Sequence, residues 1–179
     1  MATIRILCAG FGGQGALLIG KLVAEAGMAE GKHVTWLPSY GPEMRGGTAN
    51  VMVVVSDKPV GSPIFSKLDV LVALNQPSLD KFAPDTKDGG IIITNSDLCG
   101  EPANADKVKL SPVPLTKIAE EIGNVKAANM VGVGALLALT NCVARKSVED
   151  YLSGMMKEKN PALLDTNLLA IEKGAAYVA

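Results

Sequence analysis

The stretch Cys8 to Lys21, CAGFGGQGALLIGK, sets four glycines at positions 10, 12, 13 and 15 between two different apolar patterns. Ile4 to Ala9 before it is a short apolar run, the pattern of a strand. Ala16 to Gly27 after it repeats apolar side chains at Leu18, Leu22 and Ala26, the spacing of a helix. Strand, tight turn and helix in that order make a Rossmann-like beginning to an α/β fold.

The remainder continues in the same style. Lys32 to Leu37 and Ala49 to Ser56 predict a second and a third strand, and Leu68 to Leu74 and Gly90 to Asn95 are near-continuous apolar runs, the signature of strands covered on both faces. Pro77 can start a short helix that Pro84 stops. Beyond them, Leu115, Ile118 and Ile122 make one helical stripe, Asn129 to Val143 a more buried helix, and Asn160-Pro161 an N-cap for a last helix with Leu164, Leu168 and Ile171 on one face. The expected architecture is a single domain over residues 1–179, a three-layer α/β/α sandwich with a mostly parallel sheet. Its 179 residues, 48% of them hydrophobic, suffice for one good core.

Gly10-Phe11-Gly12-Gly13-Gln14-Gly15 satisfies G-x-G-x-x-G where that motif belongs. A dinucleotide fold also places a ribose-binding carboxylate at the end of the second strand. Here that end is Thr35-Trp36-Leu37-Pro38, with Glu30 too early and Glu43 too late, so NAD lacks its second anchor. The overlapping Gly15 to Lys21 spells G-x-x-x-x-G-K, yet the next residue is Leu22, with no hydroxyl for Mg²⁺, and the four intervening residues are apolar helix formers. ATPase chemistry is rejected. Two readings of the turn stay open: backbone N–H groups that bind an anion, or glycines that bring helix and sheet together.

Pro38 to Asn50, PSYGPEMRGGTAN, surrounds Tyr40, Glu43, Met44 and Arg45 with turn formers between two strands. Ends of parallel strands share one edge of a sheet, so this loop can approach Gly12 to Gly15. There Arg45 can clamp a carboxylate or phosphate, a partner protein can bury the loop, or Arg45 can simply pair with Glu43 at the surface. Asn75, after the fourth strand, lies on the same edge, within reach of a ligand or of the neighbouring loop. His33 is the sole histidine and belongs to no triad motif, and Asp69 and Asp80 form no readable acid–base pair.

Composition narrows the classes further. Seventeen Lys and Arg against eighteen Asp and Glu give a net charge of −1, without the basic stripe of a nucleic-acid binder. Three cysteines, Cys8, Cys99 and Cys142, stand far apart and form no CxxC pair, which fits a reducing, cytoplasmic setting and no metal site. The N-terminus reaches glycine too soon for a signal peptide. Residues 127–144 carry no charge, but Asn129, Thr140 and Asn141 interrupt them, so a buried helix and no membrane span is expected.

Taken together, IRILCAGFGGQGALLIGK, SYGPEMRGGTANVMVVVS, DVLVALNQPSLDKF, GGIIITNS and NMVGVGALLA resemble the γ subunit of the 2-oxoacid:ferredoxin oxidoreductases over nearly the whole chain. The resemblance implies oxidative decarboxylation of a 2-oxoacid to an acyl-CoA, with electrons passing to ferredoxin. It implies α and β partner subunits that hold thiamine diphosphate, a ferredoxin-like δ subunit, and iron–sulfur clusters outside this chain, which binds no cofactor alone and is not active by itself. The form SYGPEMRGG favours 2-oxoglutarate or branched-chain substrates, with 2-oxoglutarate first. The family pattern carries over onto Gly10, Gly12, Gly13, Gln14 and Gly15, and onto Ser39, Tyr40, Gly41, Pro42, Glu43, Met44, Arg45, Gly46 and Gly47, as cofactor-binding or interface positions bearing on partners or on coenzyme A. Asn129 is expected to open a helix and satisfy loop backbone. The rival readings are a free-standing nucleotide-binding protein and a purely structural interaction subunit; isolated, the chain could pair with itself.

Overall fold

The computed structural model describes residues 3–41, 47–158 and 160–179. β1 (Thr3–Phe11) runs through the glycine turn into α1 (Ala16–Ala29), and β2 (His33–Tyr40) and β3 (Thr48–Ser56) follow as a hairpin. Then come β4 (Leu68–Ala73), α2 (Gln76–Phe82), β5 (Thr86–Asn95) and β6 (Lys109–Val113), and finally α3 (Leu115–Glu121), α4 (Ala128–Thr140), α5 (Arg145–Met156) and α6 (Pro161–Val178). The six strands lie in the order β2-β3-β1-β4-β5-β6. β1, β4, β5 and β6 pair in parallel. β3 is antiparallel to both its neighbours, so β2 points the same way as β1 although the two never touch.

Alternation along the strands divides the core in two. Ile6 and Cys8 of β1, Val51, Val53 and Val55 of β3 and Val70 and Val72 of β4 face α1, α4 and α6. Leu7, Ala9, Leu71, Ala73 and Ile92 face the other way, onto Leu79 of α2 and Ala83. Apolar cover on both faces is why β4 reads as an unbroken apolar run. The sandwich has its three layers, but they are unequal: five helices cover one face, while a seven-residue helix and a one-turn 3₁₀ segment at Ala83–Asp85 sit on the other.

Two elements escape the sequence reading. β6 contains Pro112, which argues against a strand; at the sheet edge, paired only with β5, the missing N–H breaks nothing essential. α5 buries only Val148 and Leu152, too thin a stripe for periodicity to reveal, and its exposed face carries Arg145–Glu149 and Lys146–Asp150 pairs at i,i+4 spacing. α4 also stops three residues earlier than its hydrophobicity predicts. Asn141 takes the left-handed conformation, φ 49°, and its N–H returns to Leu137 O at 2.9 Å, which ends the helix. No helix among the described residues is long and apolar enough to cross a membrane.

α4 is buried at every position from Asn129 to Leu137, as its uniform hydrophobicity requires. It crosses α6 backbone to backbone. A Cβ on Gly134 would lie 2.0 Å from Ile171 O, and one on Gly174 would lie 2.0 Å from Val131 O. Carbonyl groups inside two packed helices cannot step aside as a flexible side chain can, so this crossing depends on both glycines. Gly134→Ala is expected to destabilise the chain by about 3 kcal/mol, measured as a fall in the urea midpoint; Gly154→Ala, at an open position inside α5, is expected to raise the midpoint slightly, since alanine is the better helix former.

Candidate functional site

The antiparallel insertion of β3 brings the two glycine loops together. Phe11 at the end of β1 is level with Thr48 at the start of β3, and Ala49 is level with both Gly10 and Tyr40. The connection from Tyr40 to Thr48 therefore begins and ends beside the first glycine turn. Gly12 N–H donates to Gly47 O at 2.8 Å, and Gly41 N–H to Thr48 O at 2.8 Å. Ser39, Tyr40, Gly41 and Gly47 thus lie on the edge shared with Gly10 to Gly15. The positions proposed at Pro42, Glu43, Met44, Arg45 and Gly46 lie outside the described residues.

The glycines of the first turn serve different needs. Gly10 is still in β1, where a Cβ would come within 2.9 Å of Gln14 Oε1 and 3.2 Å of Leu74 Cβ. Gly13 has φ 98° and open space where a side chain would stand. Gly15, the N-cap of α1, has φ 84°, and a Cβ there would lie 2.4 Å from Asn129 Nδ2. Close packing accounts for Gly10 and Gly15, whereas Gly13 leaves backbone open to an approaching group. Gly20 lies inside α1, where a Cβ would come within 2.5 Å of Val51 Cγ1, so the P-loop-like spacing is a helix–sheet contact.

Gln14 fastens the turn to the next strand. Its Oε1 accepts from Phe11 N–H and from Asn75 Nδ2, both at 2.7 Å, and its Nε2 donates to Leu74 O at 3.3 Å. Asn75 Oδ1 in turn caps α2 by accepting from Ser78 N–H at 2.9 Å. Of the two roles open to Asn75, the geometry gives it the neighbouring loop. Helix starts converge on this edge, where the first-turn amides of α1 at Ala16 and Leu17 have no intrahelical acceptor.

Asn129 departs from its expected role. Asn124 caps the turn before α4, accepting from Lys126 N–H at 3.1 Å, while the Asn129 side chain makes no hydrogen bond among the described residues. At 7% exposure it presses on Gly15 and lines a crevice of about 330 Å³ with Gly13, Gln14, Leu74, Leu115 and Thr116. On the other side of the turn a second cavity, about 390 Å³, is lined by Phe11, Gly13, Leu17, Leu18 and Tyr40, the last 52% exposed. Sequence spacing had no means of showing that residues 15 and 129 touch.

The remaining candidates are engaged elsewhere. Glu30 caps the far end of α1; burial raises its carboxyl, but hydrogen bonds from Lys32 and the Ala144 N–H outweigh that and hold it below the usual carboxylate range. His33 is exposed at the opposite end of β2 from the glycine loops. Asp69 accepts from Arg5 N–H at 2.8 Å and from Lys87 Nζ at 2.7 Å, a structural tie. Burial pushes the Cys8 and Cys142 thiols up, and pushes Cys99 up to about 11, so the three are protonated at neutral pH and poor nucleophiles. No group of three or more His, Cys, Asp and Glu among the described residues is arranged to hold a metal.

The family model described as pyruvate ferredoxin/flavodoxin oxidoreductase matches residues 5–177. The chain belongs to that family. It is 44% identical to the ketoisovalerate oxidoreductase subunit VorA of Methanothermobacter thermautotrophicus over 97% of its own length, but spans only 36% of that relative. It is 38% identical to the 2-oxoglutarate synthase subunit KorC of Methanocaldococcus jannaschii, covering 95% of this chain and 91% of that one. A solved structure of 2-oxoglutarate:ferredoxin oxidoreductase from Magnetococcus marinus, with 2-oxoglutarate, coenzyme A and succinyl-CoA bound, superposes with a TM-score of 0.92 at 27% identity, covering 99% of this chain and 31% of that one. The family domain thus occurs both as a nearly whole chain and as about a third of a longer one.

Gly15→Ala is expected to lower stability by more than the 1–2 kcal/mol or so of the left-handed backbone alone, because the methyl also meets Asn129. Adding Asn129→Ala should return the steric part, so a thermal-melt double-mutant cycle over the two positions should be non-additive. Gln14→Leu should cost about 1–3 kcal/mol by leaving the buried Asn75 amide without its acceptor, read from the same melts.

Proposed function

We propose that this chain is the γ subunit of a multi-subunit 2-oxoacid:ferredoxin oxidoreductase in the cytoplasm, inactive by itself. The assembly would convert a 2-oxoacid, 2-oxoglutarate first and a branched-chain 2-oxoacid second, with coenzyme A to an acyl-CoA and CO₂. The bond to the carboxylate breaks and it leaves as CO₂, the acyl carbon bonds to the coenzyme A sulfur, whose thiol proton is released, and the two electrons set free pass to ferredoxin. The observation that carries the reading is the meeting of the two family loops through Gly12 N–H and Gly47 O, which builds one composite surface at the carboxyl edge of the sheet.

The donor set of this chain supports placing the iron–sulfur clusters and thiamine diphosphate elsewhere. The described residues offer protonated, separated thiols and no acid–base pair in the crevice. We assign these groups to α and β partners and a ferredoxin-like δ subunit. The chain's contribution is a surface: Gly13 backbone and the first-turn amides of α1 for the phosphates of coenzyme A, with Tyr40 and Arg45 against coenzyme A or a partner. Deprived of partners, it presents Trp36, Leu37 and Tyr40 of edge strand β2 partly exposed, which favours self-association of the isolated chain.

The test is anaerobic co-purification of the tagged chain from its host, with thiamine and iron assayed in what comes with it. Recovery of larger partners containing both, active on 2-oxoacids, is expected. Tyr40→Ala and Arg45→Ala should cut turnover or recovery at least tenfold while the isolated chain's melting is unchanged. Recovery of the chain alone with a tightly bound nucleotide would overturn the proposal in favour of a free-standing nucleotide-binding protein.

A further inference from the structure

At the opposite end of the parallel strands from the glycine loops, β5 departs from regular pairing. It is level with β4 at Leu68 with Thr86 and again at Val70 with Ile91. Between those pairs β4 has Asp69 alone, whereas β5 has Lys87, Asp88, Gly89 and Gly90, so β5 bulges. Gly89 takes φ 76°, and its N–H donates to Lys107 O at 2.7 Å, which ties the bulge to the segment before β6. Beside the bulge lies a cavity of about 660 Å³, larger than either cavity at the glycine loops. Lys67 lines it from before β4, Thr86, Lys87 and Asp88 from β5, and Asn104 and Lys107 from before β6.

Two polar atoms of that lining have no partner in the protein, Thr86 Oγ1 and Asn104 Oδ1. Buried polar groups are ordinarily paired, and these two do not bond each other. Thr86 is 4% exposed. The Asn104 nitrogen donates to Ala83 O at 2.8 Å, so the end of the amide left over is the acceptor. Lys67 and Lys107 are exposed, and among the described residues neither has an ion-pair partner. Lys87 is engaged by Asp69 at 2.7 Å, and Asp88, also exposed, is the one carboxylate in the lining. By exposure, Thr86 belongs to the floor of the cavity, and the two uncommitted ammonium groups and Asp88 belong to its rim.

We propose that this cavity binds a small phosphate monoester that carries hydroxyl groups, a sugar phosphate in chemical class. The phosphate meets Lys67 and Lys107 at the rim, and a hydroxyl at the floor donates to Asn104 Oδ1 and pairs with Thr86 Oγ1, which can donate or accept. The unpaired acceptor on Asn104 separates this ligand from other anions. A carboxylate from an acidic protein segment has no hydrogen to give and leaves that oxygen unanswered, as does the phosphate group itself. The volume lies in the range of small-molecule sites. The site stands apart from the glycine loops, so the inference does not rest on the subunit reading above.

Calorimetric titration of the full chain with ribose 5-phosphate, glucose 6-phosphate and glycerol 3-phosphate is the test, with inorganic phosphate and an oligoglutamate peptide as comparators. At least one sugar phosphate is expected to bind saturably, and at least tenfold more tightly than either comparator. Replacing Lys67→Ala and Lys107→Ala together is expected to weaken that binding at least tenfold. Thr86→Val is expected to weaken it too, while the melting temperature of the unliganded chain holds or rises, because a buried unpaired hydroxyl is removed. If Thr86→Val fails to fold, the double lysine variant, at exposed positions, decides. Inorganic phosphate bound as tightly as the sugar phosphates overturns the proposal in favour of a plain anion site. Oligoglutamate bound as tightly overturns it in favour of an acidic protein surface. Binding that survives the double lysine variant, or no saturable binding of any of the three at millimolar concentration, overturns it outright.

Discussion

The pairing of β1 with β3 is the constraint on which the rest depends. Nine residue pairs, from Thr3 with Ser56 to Phe11 with Thr48, hold the two strands antiparallel at the centre of the sheet. α1 is already the crossover that lets β2 run parallel to β1; were β2 directly beside β1, the loop after it would have no reason to end at the first glycine turn. With β3 between them, the loop that turns back from β2 must begin and end at the carboxyl end of β1. The hydrogen bond from Gly12 to Gly47 is the local result of that register.

The site is then held from behind. Gln14 and Asn75 join the glycine turn to the end of β4, and Asn75 also caps α2, so the thin layer of the sandwich is tied to the same edge. α4 supports it from the other face, where Asn129 fills the space that only a glycine at position 15 leaves open. α4 in turn keeps its place by crossing α6 at Gly134 and Gly174. The rigid parts are thus all behind the surface, and the surface itself is formed by backbone, a half-exposed tyrosine and the open side of two cavities. The chain belongs to a family whose similar members are oxidoreductase subunits.

Much of this was legible from one-dimensional pattern. Apolar runs and their punctuation located β1 to β5, α1 and the start of α6, where Asn160 does cap by accepting from Leu163 N–H at 3.1 Å. The paired loops marked the edge at which Gly12 and Gly47 meet. β6 and α5 were hidden because an edge strand tolerates Pro112 and a surface helix needs only Val148 and Leu152 inside. Asn129 does lie in the first turn of α4, but its side chain satisfies no described loop backbone; Asn124, five residues earlier, caps the 3₁₀ turn that leads into the helix.

What the sequence determined by itself are the properties carried by neighbours along the chain: the strand–turn–helix opening, the absence of a ribose carboxylate at the end of β2, the scattered cysteines and the two loop motifs. Local spacing settles these because each depends on residues within a turn or two of one another. Tertiary structure decided which distant groups meet: residue 12 with 47, 14 with 75, 15 with 129, 134 with 171. Those contacts follow from strand order and helix crossing, which are set by the packing of whole faces, and no periodicity within a single segment contains that information.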